Sequence, residues 1–279
     1  MLKLLPKVMT FSATDPSGGA GLQADVLTLA SIGCHPLSVT TGITVQDTIG
    51  VDSLMALGRE LVNDQARSIL EDMDVAIFKC GVLGSVENIM AVAEIVADYP
   101  DIPLIIDPVL ASGRGDDLAS TEMLLAMTEL LFPQSLLITP NSFEARQLVI
   151  KDDEEFSDIN IEECANRFRL LGCKNILITG THEKTDSVIN TLYDHVGQST
   201  PFYWDRLPGN YHGSGCTLTS AIAGYYAQGL ALEVAVEEAQ KFTWQTLRSA
   251  FKPGMGQSIP DRFFSVNDEE DDDGRYNHN

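Results

Sequence analysis

The residues best suited to chemistry in this chain are His212-Gly213-Ser214-Gly215-Cys216, which open directly into the apolar run 217–228. Two glycines let the backbone turn tightly and present successive N–H groups. A helix starting there adds the positive end of its dipole, so the segment makes a pocket for negative charge. A cysteine at that spot would have its thiolate stabilised by the same field. An anion cradle holding an ionisable nucleophile or base suits phosphoryl transfer. Taken alone, the segment reads equally well as a glycine turn capping a helix, with Cys216 a small buried filler.

Other polar groups carry a functional and a plainer reading. The loop Ala13-Thr14-Asp15-Pro16-Ser17-Gly18-Gly19-Ala20-Gly21 lacks both the Gly-Lys-Ser/Thr of a Walker loop and Gly-x-Gly-x-x-Gly spacing. Its glycines bring backbone close to a flat ligand, or make an ordinary strand-to-helix turn. Asp25 falls on the following helix, where the plain reading is a solvated carboxylate. Gln46 offers a donor and an acceptor side by side, which suits the edge of an aminopyrimidine. Asp107 ends an apolar strand before Pro108, as a turn-former or a ligand for Mg²⁺ or its water shell. Asn141 and Glu144 have the spacing of a capping box; Glu144 serves that box or the water shell of Mg²⁺-bound phosphates. His182 and His212 lack a second ligand at metal spacing and read as loop residues with hydrogen-bond roles. Trp204 and Trp244 read as packing residues.

These groups need a scaffold. Strand patterns over 8–12, 36–41, 52–57, 76–79, 104–107, 136–139 and 175–179 alternate with helical patterns over 21–33, 59–73, 87–97, 121–131 and 161–171. A strand pair over 188–193 and 201–205 follows, then helices over 217–228 and 232–251. The alternation predicts a mainly parallel sheet with helices on both faces. Ligands of such sheets bind beyond the carboxyl ends of the strands. The polar motifs lie there in sequence: 13–21, 44–47 (placed just past the second strand), 81–84, 107–108, 139–141 and 180–182.

The chain has 279 residues, 44% hydrophobic, and a formal charge of −22. That acidity disfavours nucleic acid and anionic membrane surfaces as partners. Residues 268–273 are all Asp or Glu, and the expected division is one domain over 1–264 and an acidic, disordered tail over 265–279. Five scattered cysteines without a Cys-x-x-Cys pair argue against a disulfide framework or structural zinc and for a reducing, cytoplasmic setting. Residues 1–7 are too short for a signal peptide, and no apolar run approaches about 20 residues.

Six motifs in order resemble the hydroxymethylpyrimidine/phosphomethylpyrimidine kinases of the ribokinase-like superfamily. They are Asp15-Pro16-Ser17-Gly18-Gly19-Ala20-Gly21-Leu22-Gln23-Ala24-Asp25, Thr44-Val45-Gln46-Asp47-Thr48, Lys79-Cys80-Gly81-Val82-Leu83, Asp107-Pro108-Val109, Thr139-Pro140-Asn141 with Glu144-Ala145, and His212-Gly213-Ser214-Gly215-Cys216-Thr217-Leu218. The resemblance implies a three-layer α/β/α ribokinase-like fold. It implies transfer of the ATP γ-phosphoryl to the hydroxymethyl of 4-amino-5-hydroxymethyl-2-methylpyrimidine in thiamine biosynthesis, with the monophosphate as a second acceptor. It places Gln46, Asp25, Ala13, Val45 and Val82 around the pyrimidine. Asp107, Asn141, Glu144 and Thr179 fall to ATP and Mg²⁺, the metal held by Asp107 and Glu144 through water. Backbone amides of Gly213, Ser214, Gly215 and Cys216 hold the moving phosphoryl, and the Cys216 side chain takes the hydroxyl proton. A homodimer is implied as well. The chain departs from the pattern at Thr179, where Lys is frequent, at Ala13 for Gly and at Val82 for Met. The lost lysine bears hardest on an acceptor that is already anionic. A pyridoxal-type kinase and a non-catalytic pyrimidine-binding sensor are the competing readings.

Overall fold

The computed structural model describes residues 5–265 apart from 112–114, 117, 152–153 and 157–158. The strands are β1 (Lys7–Thr14), β2 (His35–Gln46), β3 (Val51–Ala56), β4 (Ile77–Cys80), β5 (Leu104–Ile106), β6 (Leu137–Ile138), β7 (Ile176–Ile178), β8 (Ser187–Tyr193) and β9 (Ser199–Asp205). They form one sheet in the order β3-β2-β1-β4-β5-β6-β7-β8-β9. The run from β2 to β7 is parallel throughout; β3, β8 and β9 pair antiparallel at the edges.

Strand residues alternate between two apolar layers, as a period of two requires. Val8, Ile77, Ile105, Leu137 and Leu177 point to one cluster, which α1 (Gly21–Ser31), α7 (Ser214–Ala227) and α8 (Leu232–Arg248) complete. Met9, Phe78, Leu104, Ile106 and Ile138 point to the other, covered by α2 (Arg59–Leu70), α3 (Val86–Asp98), α4 (Thr121–Ala126), α5 (Ser142–Val149) and α6 (Ile161–Leu170). Helices on both faces of one sheet give the expected three-layer fold. The parallel strands β1, β2 and β4 to β7 therefore all deliver their following segments to the same edge.

The structure corrects several boundaries. β2 runs on to Gln46, because β3 folds back on it with Gly42 opposite Ala56 and Gln46 opposite Val51. Residues 44–46 are therefore strand, not a loop beyond it. The helical pattern over 121–131 is α-helical only to Ala126; a π turn over Met127–Leu131 and a 3₁₀ turn containing Pro133 finish it. α7 begins at Ser214, so Ser214, Gly215 and Cys216 form its first turn. α8 stops at Arg248, and Phe251 turns back to bridge Ile259. All five cysteines are buried and free. Among the described residues no helix is long and apolar enough to cross a membrane. The tail expected over 265–279 lies outside the described residues except for Ser265.

Candidate active site

The site is built where two glycine-bearing loops cross. Gly213 takes φ +83°, and a Cβ there would collide with the Gly19 carbonyl oxygen. Only glycine allows this approach. Gly213 is also the N-cap of α7, so no side chain covers the helix's first amides. Asp15 organises the facing loop. Its carboxylate accepts from the Ser17 amide at 2.8 Å, the Ala20 amide at 2.7 Å and His212 Nε2 at 2.8 Å. Burial opposes the charge, but the bonds from His212, Ser17 and Ala20 outweigh it and hold the acid at about 2. An ionised carboxylate only accepts, so Nε2 of His212 carries the hydrogen. His212 thus has the hydrogen-bond role read from sequence.

Asp107 directly follows β5, opposite this helix start. A Cβ at Gly215 would lie 3.8 Å from both of its oxygens. Asp107 is 5% exposed, and its Oδ2 is buried without a hydrogen-bond partner. Burial pushes its acid up to about 6, although Lys79 pulls the other way. Glu144 is pushed up to about 8, by burial first and then by Asp107. Asn141 and Glu144 form a full capping box on α5: Asn141 Oδ1 accepts from the Phe143 and Glu144 amides, and Glu144 Oε2 accepts from the Asn141 amide, all at 2.9 Å. Thr179 lies beside them, bridged in parallel to Asn141. Two buried carboxyls, both with raised pKa values and one with an orphan oxygen, fit a hard divalent cation.

Cys216 is a correction. The helix start was expected to stabilise its thiolate. Burial instead, reinforced by Asp107, pushes the thiol up to about 12. The desolvation outweighs the dipole, so Cys216 is a protonated thiol in this state.

Asp25 is another. It is fully buried and presents no surface to a ligand, nor is it a solvated carboxylate. Lys79 Nζ lies 2.9 Å and 3.0 Å from its two oxygens, and Ser220 donates to Oδ1 at 2.7 Å. Lys79 is equally buried; burial works against its proton, but the Asp25 carboxylate bonded to Nζ outweighs it and keeps the ammonium charged. Sequence reasoning gave Lys79 no role. A lysine inside the short, otherwise apolar strand Ile77–Cys80 was the available signal.

The expected pyrimidine residues divide. Gln46 lines a cavity of about 450 Å³ with Pro16, Ser17, Thr48, Gly254 and Met255. Val82 does not offer its carbonyl: that oxygen already accepts from the Ala13 amide at 2.9 Å and Thr41 Oγ1 at 2.6 Å. Ala13 is buried within β1. Val45 is paired with Ser53 in the ladder and more than half exposed, outside the cavity lining. The cavity's far wall comes from residues 253–255, which sequence reasoning left unassigned.

A family model for phosphomethylpyrimidine kinase matches residues 15–261. This chain belongs to the phosphomethylpyrimidine kinase family. The hydroxymethylpyrimidine/phosphomethylpyrimidine kinase of Mycobacterium tuberculosis is 35% identical over 255 residues, covering 90% of this chain and 91% of that protein. The thiamine biosynthesis bifunctional protein ThiED of Geobacter sulfurreducens is 33% identical over 95% of the chain, which spans only 54% of that longer protein. Among solved structures, the ADP complex of Bacillus subtilis pyridoxal kinase has a TM-score of 0.84 at 25% identity, covering 93% of this chain and 98% of that one. Phosphomethylpyrimidine kinase from Clostridium difficile has a TM-score of 0.73 at 29% identity, covering 88% and 100%. The expected ribokinase-like architecture is thus shared with kinases of both vitamins. In this phosphomethylpyrimidine kinase family member, the matched span includes every site residue described above except Ala13.

Proposed function

We propose that the chain transfers the ATP γ-phosphoryl to the hydroxymethyl of 4-amino-5-hydroxymethyl-2-methylpyrimidine in thiamine biosynthesis. The observation that carries this is the side-chain-free start of α7 set against Asp107, one loop crossing away from the loop that lines the Gln46 cavity. Gln46 holds the ring edge by paired donor and acceptor. The open amides of Ser214, Gly215 and Cys216 receive the phosphoryl oxygens as charge shifts between donor and acceptor. Cys216 accepts the hydroxyl proton after passing its own thiol proton to solvent, so each turnover leaves the thiol protonated and one proton in solution. Asp107 and Glu144 hold Mg²⁺, in part through water, and Asn141 and Thr179 face the phosphates. Mg²⁺, when bound, neutralises charge on the phosphates. The monophosphate is the second acceptor. With threonine at position 179 it is the poorer one, because no cation from that position offsets its charge.

The five buried thiols support a reducing, cytoplasmic setting, and the charge of −22 supports a small molecule over nucleic acid as partner. Ile43, Val45 and Met55 leave an apolar face exposed on the β2–β3 ribbon, which supports a homodimer through that face. One observation favours a second reading, kinase action on pyridoxal: the pyridoxal kinase fold superposes with the higher TM-score. The sequence likeness points to the pyrimidine, at 35% against 25%. ADP release with the pyrimidine alcohol, its monophosphate and pyridoxal, assayed in parallel, decides. The pyrimidine alcohol should react fastest. A large excess on pyridoxal overturns the assignment, and tight pyrimidine binding without ADP release would mean a sensor.

A further inference from the structure

The segment after α8 touches three separate parts of the site. Arg262 is 3% exposed, and its guanidinium reaches into the crossing of the two loops. Nη2 donates to Gly19 O at 2.6 Å, Nη1 to Gly18 O at 3.4 Å and Nε to Thr217 Oγ1 at 3.1 Å. Thr217 Oγ1 in turn donates to Gly213 O at 2.8 Å. Among the described residues no carboxylate forms a salt bridge with this buried cation. It is spent on main-chain carbonyls and one hydroxyl. Earlier in the segment, the Gln257 amide donates to Thr48 O at 2.8 Å and the Gly256 amide to Thr48 Oγ1 at 3.0 Å. Ser258 exchanges backbone bonds with residues 210 and 212, just before the anion cradle. The Phe251–Ile259 bridge closes the segment on itself, and the Asp261 amide on Thr246 O at 2.9 Å ties its far end to α8.

We propose that residues 251–262 form a clasp that holds the glycine loop, the β2–β3 turn and the start of α7 in register, with Arg262 as its positioning residue. The clasp touches no reacting atom. It fixes Thr48, and through Gly18 and Gly19 the loop that carries Ser17, relative to the amides at 214–216, and so sets where the acceptor alcohol lies against the phosphoryl site. Its effect on substrate rests on the kinase reading; its effect on loop order does not.

The test uses the full-length chain carrying Arg262→Gln, Arg262→Lys or Gly256→Ala. A Cβ at Gly256 would collide with the Thr48 carbonyl oxygen, so that variant lifts the clasp without removing a buried charge. Amide hydrogen exchange at 17–20 and 47–49 should rise in Arg262→Gln, and at 47–49 in Gly256→Ala. KM for the pyrimidine alcohol should rise about tenfold in Arg262→Gln, in line with the loss of a charged hydrogen bond. KM for ATP and kcat should stay within about twofold, and Arg262→Lys should recover part of the effect because a charged donor remains. Unchanged exchange in both Arg262→Gln and Gly256→Ala overturns the clasp. Raised exchange with an unchanged KM for the alcohol overturns the positioning role. If the wild-type chain phosphorylates no acceptor, the kinase reading fails and exchange alone judges the clasp. If the Arg262 variants do not fold, Gly256→Ala decides.

Discussion

Lys79 and Asp25 form an ion pair with both side chains fully buried, Nζ 2.9 Å from Oδ1, tied to α7 through Ser220. The pair joins the central strand β4 to helices α1 and α7 just below the proposed phosphoryl site. Neither partner reaches solvent, so each is tolerated only because of the other.

Breaking this pair should cost more than deleting it. Lys79→Met leaves Asp25 buried and uncompensated and should lower folding stability by about 3–5 kcal/mol. Lys79→Met combined with Asp25→Leu should recover much of that loss. Denaturant unfolding midpoints measure both. Equal destabilisation by the single and double variants would contradict the account.

Metal dependence should couple to pH through Glu144 and Asp107. Their ordinary values of 4.5 and 3.8 rise to about 8 and about 6 in the fold. A carboxyl raised on folding adds stability that is fully present below its unfolded value and is lost as pH rises through its folded value. Without Mg²⁺, thermal stability from these groups should therefore decline between about pH 4 and 8. A cation needs the ionised forms, so Mg²⁺ should raise the melting temperature more at pH 8.5 than at pH 6. In Glu144→Gln the upper part of that pH dependence should vanish. A Mg²⁺ effect that grows as pH falls would have the wrong sign.

Cys216→Ala should lower kcat by about 10²–10⁴-fold, the usual contribution of a positioned base, with little change in melting temperature. Because burial and Asp107 raise the thiol to about 12, the wild-type rate should climb with pH, and the variant should lose that slope. Full turnover in Cys216→Ala would remove the side chain from the mechanism.

Gly213→Ala tests the crossing of the two loops. The added Cβ meets the Gly19 carbonyl at a positive φ, so strain of about 1–3 kcal/mol and a clash both act on the cradle. Turnover should fall at least about tenfold. Gly209→Ala, also at positive φ but with open space around its Cβ, should carry only the backbone cost and leave turnover near wild type.

The three layers were legible because strand and helix patterns alternate and the polar motifs follow strand ends. Gly213, Gln46, Asp107 and the Asn141–Glu144 box were legible for the same reason: each stands at an element boundary where its type has a local purpose. Asp25 and Cys216 were not. Whether a carboxylate on a helix meets water or a buried lysine depends on a strand 54 residues away. A thiol at a helix start is raised or lowered according to how deeply it is buried and which acid faces it. Arg262 was invisible because two of its partners are main-chain carbonyls more than 240 residues distant and the third is a hydroxyl 45 residues away, and no side-chain pattern marks those.

The most direct test is a crystal structure of the chain with the pyrimidine alcohol and a non-hydrolysable ATP analogue. The account predicts the γ-phosphate on the amides of residues 214–216 and the ring against Gln46, with the hydroxymethyl oxygen between the phosphate and Cys216 Sγ. A γ-phosphate bound away from α7, or a ring bound outside the Gln46 cavity, would contradict it.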